Sequence, residues 1–307
     1  MSDLPRTVKV KEVGPRDGLQ AEAATLPTED KLRLIGCLAD AGLKEIEATS
    51  FVSPKAIPVL ADAAEVFAGL DRRPGVTYSA IVPNEKGARR AVEAGADEIQ
   101  VFLAATEGYN RSNVRMSVEE SLEQAARVAE VVLGAEIPFV AVLSTAFGCP
   151  YEGAVAPERV LELCGRLIGI GVEEVTFGDT TGMAYPTQVG ELSRAYGERY
   201  PDVPLRLHFH NTRGMGLANV LAALEAGVDR FDASVGGLGG SPYAPGATGN
   251  IPTEDLVHML HEMGVETGVD LEALISCARL LEELLGHELP GQVMKAGICG
   301  HLTAGAS

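Results

Sequence analysis

Eight times along the chain, a short apolar run with strand character is followed by an amphipathic stretch with helical spacing. The runs lie at 7–13, 45–50, 76–82, 98–104, 138–144, 174–179, 205–210 and 230–235. Between them fall stretches such as EDKLRLIGCLADAG, EESLEQAARVAEVVLG and PERVLELCGRLIGIG. Apolar residues recurring every three or four positions give a helix one face to bury, whereas near-continuous Val, Ile and Phe runs suit strands covered on both sides. An Ala-Gly or Ile-Gly pair at 41–42, 94–95, 170–171 and 226–227 precedes the next strand, where glycine ends a helix in the left-handed conformation.

Eight β–α units in one unbroken series predict an α/β chain closed into a (β/α)8 barrel. The barrel is expected over about 7–265, with an additional C-terminal helix (DLEALISCARLLEELLG) and tail in 270–307, all in one domain spanning 1–307. An open doubly wound sheet would carry GxGxxG after its first strand, and no such motif stands there.

Composition narrows the partners. A formal charge of −18 leaves no broad basic face for nucleic acid, and no apolar run is long enough to span a membrane. The opening MSDLPRTVKV has neither the apolar core nor the Arg/Ser-rich character of a targeting segment, so a cytoplasmic protein is expected. The five cysteines (Cys37, Cys149, Cys164, Cys277, Cys299) are odd in number and never in a CxxC pair. They are expected to be reduced thiols rather than a disulfide framework or a zinc site.

In a barrel, chemistry collects where strands end and βα loops begin. LRLHFHN at 205–211 meets that condition. Alternation puts Leu205, Leu207 and Phe209 toward the helices and Arg206, His208 and His210 toward the interior. Two inward imidazoles two residues apart can reach one metal ion. Asp17 follows strand one, which closes against strand eight, and Asn250 ends the glycine-rich loop after strand eight. Oxygen and imidazole donors without thiolate suit Mg²⁺ or Mn²⁺.

The motifs EVGPRDGLQ, IEATSFVSPK, GCPYEG, GDTTG, HFHNTRGMGLAN and GLGGSPYAPGATGNIPTEDLVHML resemble those of the 3-hydroxy-3-methylglutaryl-CoA lyase family, a branch of metal-dependent TIM-barrel lyases and synthases. The resemblance runs from about residue 7 to the end of the eighth unit. It implies cleavage of 3-hydroxy-3-methylglutaryl-CoA, or a close 3-hydroxyacyl-CoA, to acetyl-CoA and a keto acid such as acetoacetate. It also implies a divalent metal held by Asp17, His208, His210 and Asn250, and a homo-oligomer. By the same resemblance Arg16 neutralises the thioester oxygen as it gains enolate charge, Glu47 is an active-site acid and Asp179 supports catalysis; His208 and Asp17 stand close enough to be candidates for the base that takes the hydroxyl proton. Alternation groups Glu47 inward with Glu45 and Thr49, but places Asp179 with Val175 and Phe177 unless Gly178 breaks the strand.

Asn113 matches a residue on the pantetheine arm of CoA, and Arg111 and Arg115 are candidates for its phosphates. Ser241 stands where characterised lyases of the family carry a cysteine that exchanges a proton with the enolate. A serine hydroxyl is a much weaker acid than a thiol. Three other readings follow: a lyase for a different 3-hydroxyacyl-CoA, a condensing enzyme of the isopropylmalate or homocitrate synthase kind, and a non-catalytic metal-binding paralogue.

Overall fold

The structure, a computed structural model, describes residues 4–240 and 249–299. Eight parallel strands close in sequence order into a barrel. They are β1 (Lys9–Glu12), β2 (Glu45–Ser50), β3 (Thr77–Val82), β4 (Glu98–Ala104), β5 (Phe139–Ser144), β6 (Glu174–Asp179), β7 (Leu205–Phe209) and β8 (Arg230–Ala233). Closure is made by β1 and β8, with Lys9 opposite Arg230 and Lys11 opposite Asp232. The outer layer contains α1 (Thr28–Asp40), α2 (Ala63–Gly69), α3 (Glu85–Glu93), α4 (Glu107–Val114), α5 (Val118–Gly134), α6 (Pro157–Gly169), α7 (Pro186–Arg199), α8 (Gly216–Glu225) and α9 (Thr253–Glu262). Beyond the eighth unit come α10 (Leu271–Leu285), packed against α1 and α9, and the single turn α11 (Val293–Ala296). No described helix is long and apolar enough to cross a membrane.

Strand side chains such as Val175, Phe177, Leu207, Phe209 and Phe231 are fully buried beneath the helices. The interior near the strand starts is ionic instead. Lys11 bonds Glu98 at 2.6 Å, and Arg206 bonds Glu174 at 2.6 Å and also Glu45. Removing one member would leave a buried charge unmatched.

Two expectations are corrected here. Cys37 on α1 and Cys277 on α10 form a disulfide, with Cα atoms 5.9 Å apart; Cys149, Cys164 and Cys299 are free. The two cysteines are 240 positions apart in sequence, a proximity that cysteine spacing cannot reveal. The parity of β2 also changes. A bulge between Glu47 and Thr49 shifts the register, so Ser50, not Thr49, lines the interior cleft with Glu47.

The 109–117 segment is half helical rather than a simple loop. Asn110, at the centre of α4, accepts the Ala104 N–H and donates to Met116 O, Ser117 O and Ser121 Oγ. That buried amide bolts α4 to the end of β4 and the start of α5. The helix ends at Arg115, whose φ of 60° is left-handed.

Candidate metal centre and active site

The sequence GPRDG after β1 forms a π-turn, Gly14–Gly18, in which the Asp17 N–H bonds Val13 O at 2.7 Å. Such turns are rare and collect at functional sites. This one brings Asp17 toward His208 and Asn250 on one side and Arg16 toward Glu47 of β2 on the other. His208 on β7 and His210 just past its end point inward as alternation predicts, and their Nε2 atoms lie 3.1 Å apart. One carboxylate oxygen of Asp17 and one nitrogen from each histidine lie within 4.8 Å of one another. Asn250 donates its amide to Asp17 Oδ2 at 2.8 Å and to Leu238 O at 3.0 Å. Gly239 passes beside it with φ of 125°, and a Cβ there would lie 2.5 Å from the Asn250 amide.

The donor set fits a divalent ion. Two ligand atoms at 2.0–2.1 Å from an octahedral ion, at right angles, stand roughly 3 Å apart. The two imidazole nitrogens already hold that spacing. Burial by itself would raise the Asp17 carboxyl, but Arg16, the two histidines and the Asn250 amide outweigh it and hold the group at about 2. Asp17 is therefore a permanent anion, suited to ligation and poor as a base.

Arg16 Nη1 donates to Asp17 Oδ1 at 2.7 Å, and its Nε donates to Glu47. Glu47 in turn accepts from Gln100 Nε2 at 2.8 Å. The guanidinium is thus held rigidly at the floor of a cleft of about 1150 Å³ lined by Arg16, Asp17, Glu47, His208 and His210. A fixed cation in a largely buried site stabilises a developing oxyanion far better than a mobile one in water.

Other candidates are distributed unevenly. Asn113 and Arg115 line the same cleft, whereas Arg111 does not: it is exposed and pairs with Glu107. Asp179 remains in register opposite Phe209, so Gly178 does not break the strand. Its Oδ1 accepts the N–H groups of Met183 and Ala184, and the cleft is lined instead by Gly178 and Thr180. Burial pushes the Asp179 carboxyl up to about 7. Asp179 thus shapes the β6–α7 loop through one carboxylate oxygen and acts electrostatically on His208 from behind the cleft lining. Ser241 lies outside the described residues.

The structure adds residues that the sequence did not single out. Lys55, after β2, lines the cleft and brings a cation. Glu12, at the end of β1, accepts from Gly14 N, Val235 N and Thr253 Oγ1 at 2.7, 2.9 and 2.7 Å. Glu254 accepts the Gly236 N–H at 3.0 Å. Burial pushes Glu12 up to about 7 and Glu254 to about 8, against those hydrogen bonds. Together they clamp the root of the glycine-rich loop. Nothing local in the sequence marks Glu12, whose partners Val235 and Thr253 lie more than 200 positions away, whereas Glu254 meets Gly236 only 18 positions away.

The family model described as HMGL-like matches residues 7–281. The chain belongs to the HMGL-like family. A hydroxymethylglutaryl-CoA lyase of Bacillus subtilis is 48% identical over 288 residues, covering 94% of this chain and 96% of that protein. The mitochondrial hydroxymethylglutaryl-CoA lyase of mouse is 45% identical, covering 96% and 91%. An HMG-CoA lyase structure from Acinetobacter baumannii, in complex with coenzyme A and 3-methylmalate, superposes with a TM-score of 0.94 at 46% identity. That match covers 98% of this chain and 99% of the other. The HMGL-like core thus takes in the whole barrel and most of α10.

Proposed function

We propose that this chain is a divalent-metal-dependent lyase that cleaves 3-hydroxy-3-methylglutaryl-CoA to acetyl-CoA and acetoacetate. The observation that carries the reading is the convergence of Asp17, His208 and His210 beside the Arg16–Glu47 pair in one cleft. The high identity to hydroxymethylglutaryl-CoA lyases supports the choice of substrate.

Asp17, His208 and His210 would hold Mg²⁺ or Mn²⁺, with the Asn250 amide oxygen as a further donor. When bound, such an ion polarises the substrate's hydroxyl and carbonyl oxygens and lowers the hydroxyl's pKa. Loss of the hydroxyl proton lets the C–C bond break, leaving acetoacetate and the acetyl-CoA enolate. Arg16, fixed by Glu47 and Asp17, neutralises the enolate oxygen. A proton must then reach the enolate carbon, and Ser241 on the loop after β8 is assigned to that exchange. Cys149 is not the donor: it is buried off the cleft, where Thr106 Oγ1 donates to its sulfur at 3.1 Å.

Lys55 and Arg115, with Asn113, are assigned to the CoA arm, giving an acidic protein local positive charge for an anionic substrate. The protein is taken to act in the cytoplasm, and as a homo-oligomer. The test is incubation with 3-hydroxy-3-methylglutaryl-CoA and Mg²⁺ or Mn²⁺, following acetyl-CoA and acetoacetate by mass spectrometry. Turnover abolished by EDTA supports the reading; absence of both products refutes it. In the same assay Ser241→Cys should raise the rate if the hydroxyl limits proton transfer.

A further inference from the structure

A neutral imidazole has one bare nitrogen, and the partner of its other nitrogen decides which one that is. His208 Nδ1 lies 3.2 Å from Asp232 Oδ2. An ionised carboxylate only accepts, so this contact places the hydrogen on Nδ1 and leaves Nε2 bare. The bare atom faces His210 Nε2 at 3.1 Å and Asp17 Oδ2 at 3.9 Å. We propose that Asp232 is a positioning residue of the metal centre, fixing the tautomer and ring orientation of His208. The inference rests on the metal-site reading of Asp17, His208 and His210.

Strand geometry supports it. His208 and Asp232 are direct partners in the β7–β8 register, both are inward-facing, and Asp232 is 5% exposed at the floor of the cleft. The competing role for Asp232 is to neutralise Arg206. That contact, Asp232 Oδ1 to Arg206 Nη1, is 3.7 Å and beyond hydrogen-bond length. Arg206 already has two carboxylates, Glu174 and Glu45, directly on its guanidinium. Asp232 is therefore committed to the histidine, and Arg206 keeps its charge from standing alone. The ionic cluster at the barrel base thereby reaches the metal centre through one carboxylate.

The test titrates metal-free protein with Mn²⁺ alone, reading free ion by electron paramagnetic resonance. Wild type, Asp232→Ala, Asp232→Asn and His208→Ala are compared, with circular dichroism confirming the fold. Asp232→Ala should weaken Mn²⁺ binding about 10- to 100-fold. Asp232→Asn should lose less, since its amide oxygen still accepts from Nδ1–H. If His208→Ala loses Mn²⁺ while Asp232→Ala stays within about twofold of wild type, the role of Asp232 is refuted and the metal site stands. If His208→Ala also retains full affinity, the metal-site reading itself fails. Long-range ¹H–¹⁵N spectra of the neutral His208 ring in wild type provide a check that needs no variant. A protonated Nδ1 is expected, and a protonated Nε2 overturns the proposal even if Asp232→Ala does not fold.

Discussion

Replacing Gly216 by alanine sets two effects of opposite sign against each other, and the geometry decides between them. Gly216 is the first residue of α8, where alanine gains helix propensity, at most about 1 kcal/mol and less at a first position. A Cβ there would lie 2.2 Å from Ile251 Cγ2 and 3.2 Å from Asn211 Oδ1. Carbon atoms pack at roughly 3.5–4.0 Å, so Ile251 must retreat by more than an ångström. It has little room to do so. Ile251 is fully buried and β-branched, its N–H bonds Phe209 O, and its carbonyl accepts the Ser234 N–H. Forced overpacking of this kind costs roughly 1–3 kcal/mol. The net expectation is a loss of about 1–2 kcal/mol. At an unfolding entropy near 2.1 cal/mol/K per residue, that lowers the Tm by about 2–3 °C.

The displacement also moves Asn250, the adjacent residue, so Mn²⁺ affinity should fall with it. Gly36→Ala, in the interior of α1 with nothing within 4 Å of the added carbon, is the control and should raise the Tm by about 1 °C. Calorimetry on both variants, with Mn²⁺ titration of the first, checks the argument. If Gly216→Ala gained stability as Gly36→Ala does, the steric reasoning would be wrong.

Reducing the Cys37–Cys277 disulfide opens a loop of 240 residues and should cost up to about 5 kcal/mol on the chain-entropy model, or about 8 °C in Tm. Melting with and without reductant, with Cys37→Ser as the permanently open form, measures it; coincident melts exclude the bridge from stabilising the fold. Glu254 keeps its proton up to about pH 8 in the folded state but only to about 4.5 unfolded, so stability should fall as pH rises between those values. Glu254→Gln removes that slope and should gain a few kcal/mol on wild type by pH 8, read as diverging pH–Tm curves; parallel curves would refute the assignment. Lys55→Ala should raise KM for the acyl-CoA by roughly fivefold at low salt and leave kcat unchanged, because it removes a charge contact made equally in ground and transition states. An equal fall in kcat would place Lys55 in the chemistry instead.

Much of the barrel, and the inward pair His208 and His210, was legible because both depend on local periodicity. Alternation alone sorted His208 and His210 from Leu207 and Phe209, and the same rule kept Asp179 on the outer parity where the structure finds it. The rule failed at Ala48, where a bulge lets Ser50 replace Thr49 at the cleft. A bulge is a property of a strand pair, and no residue in EIEATS announces it. Arg111 and Arg115 looked equivalent in sequence. A left-handed residue at the end of α4 separates them, placing Arg115 along the cleft and leaving Arg111 with Glu107 on the exposed side. The contacts missed altogether were those that join distant segments: Cys37 with Cys277, Glu12 with Val235 and Thr253, and His208 with Asp232.

Closure of the barrel explains why those long-range contacts collect at one end. Because β1 pairs with β8, the first βα turn meets the last, and Asp17 touches Asn250 across 233 positions of sequence. The histidines come from β7, next to that seam. Each candidate ligand is held in place: Asp17 by the π-turn on Val13 O, His208 by strand pairing, and Asn250 by its amide on Leu238 O and by Ile251 in the core. The backbone at Val235 and Gly236, beside the same seam, is clamped by Glu12 and Glu254. A rigid cluster of donors suits the work of a lyase, because the candidate ligands and Arg16 must not move while charge develops.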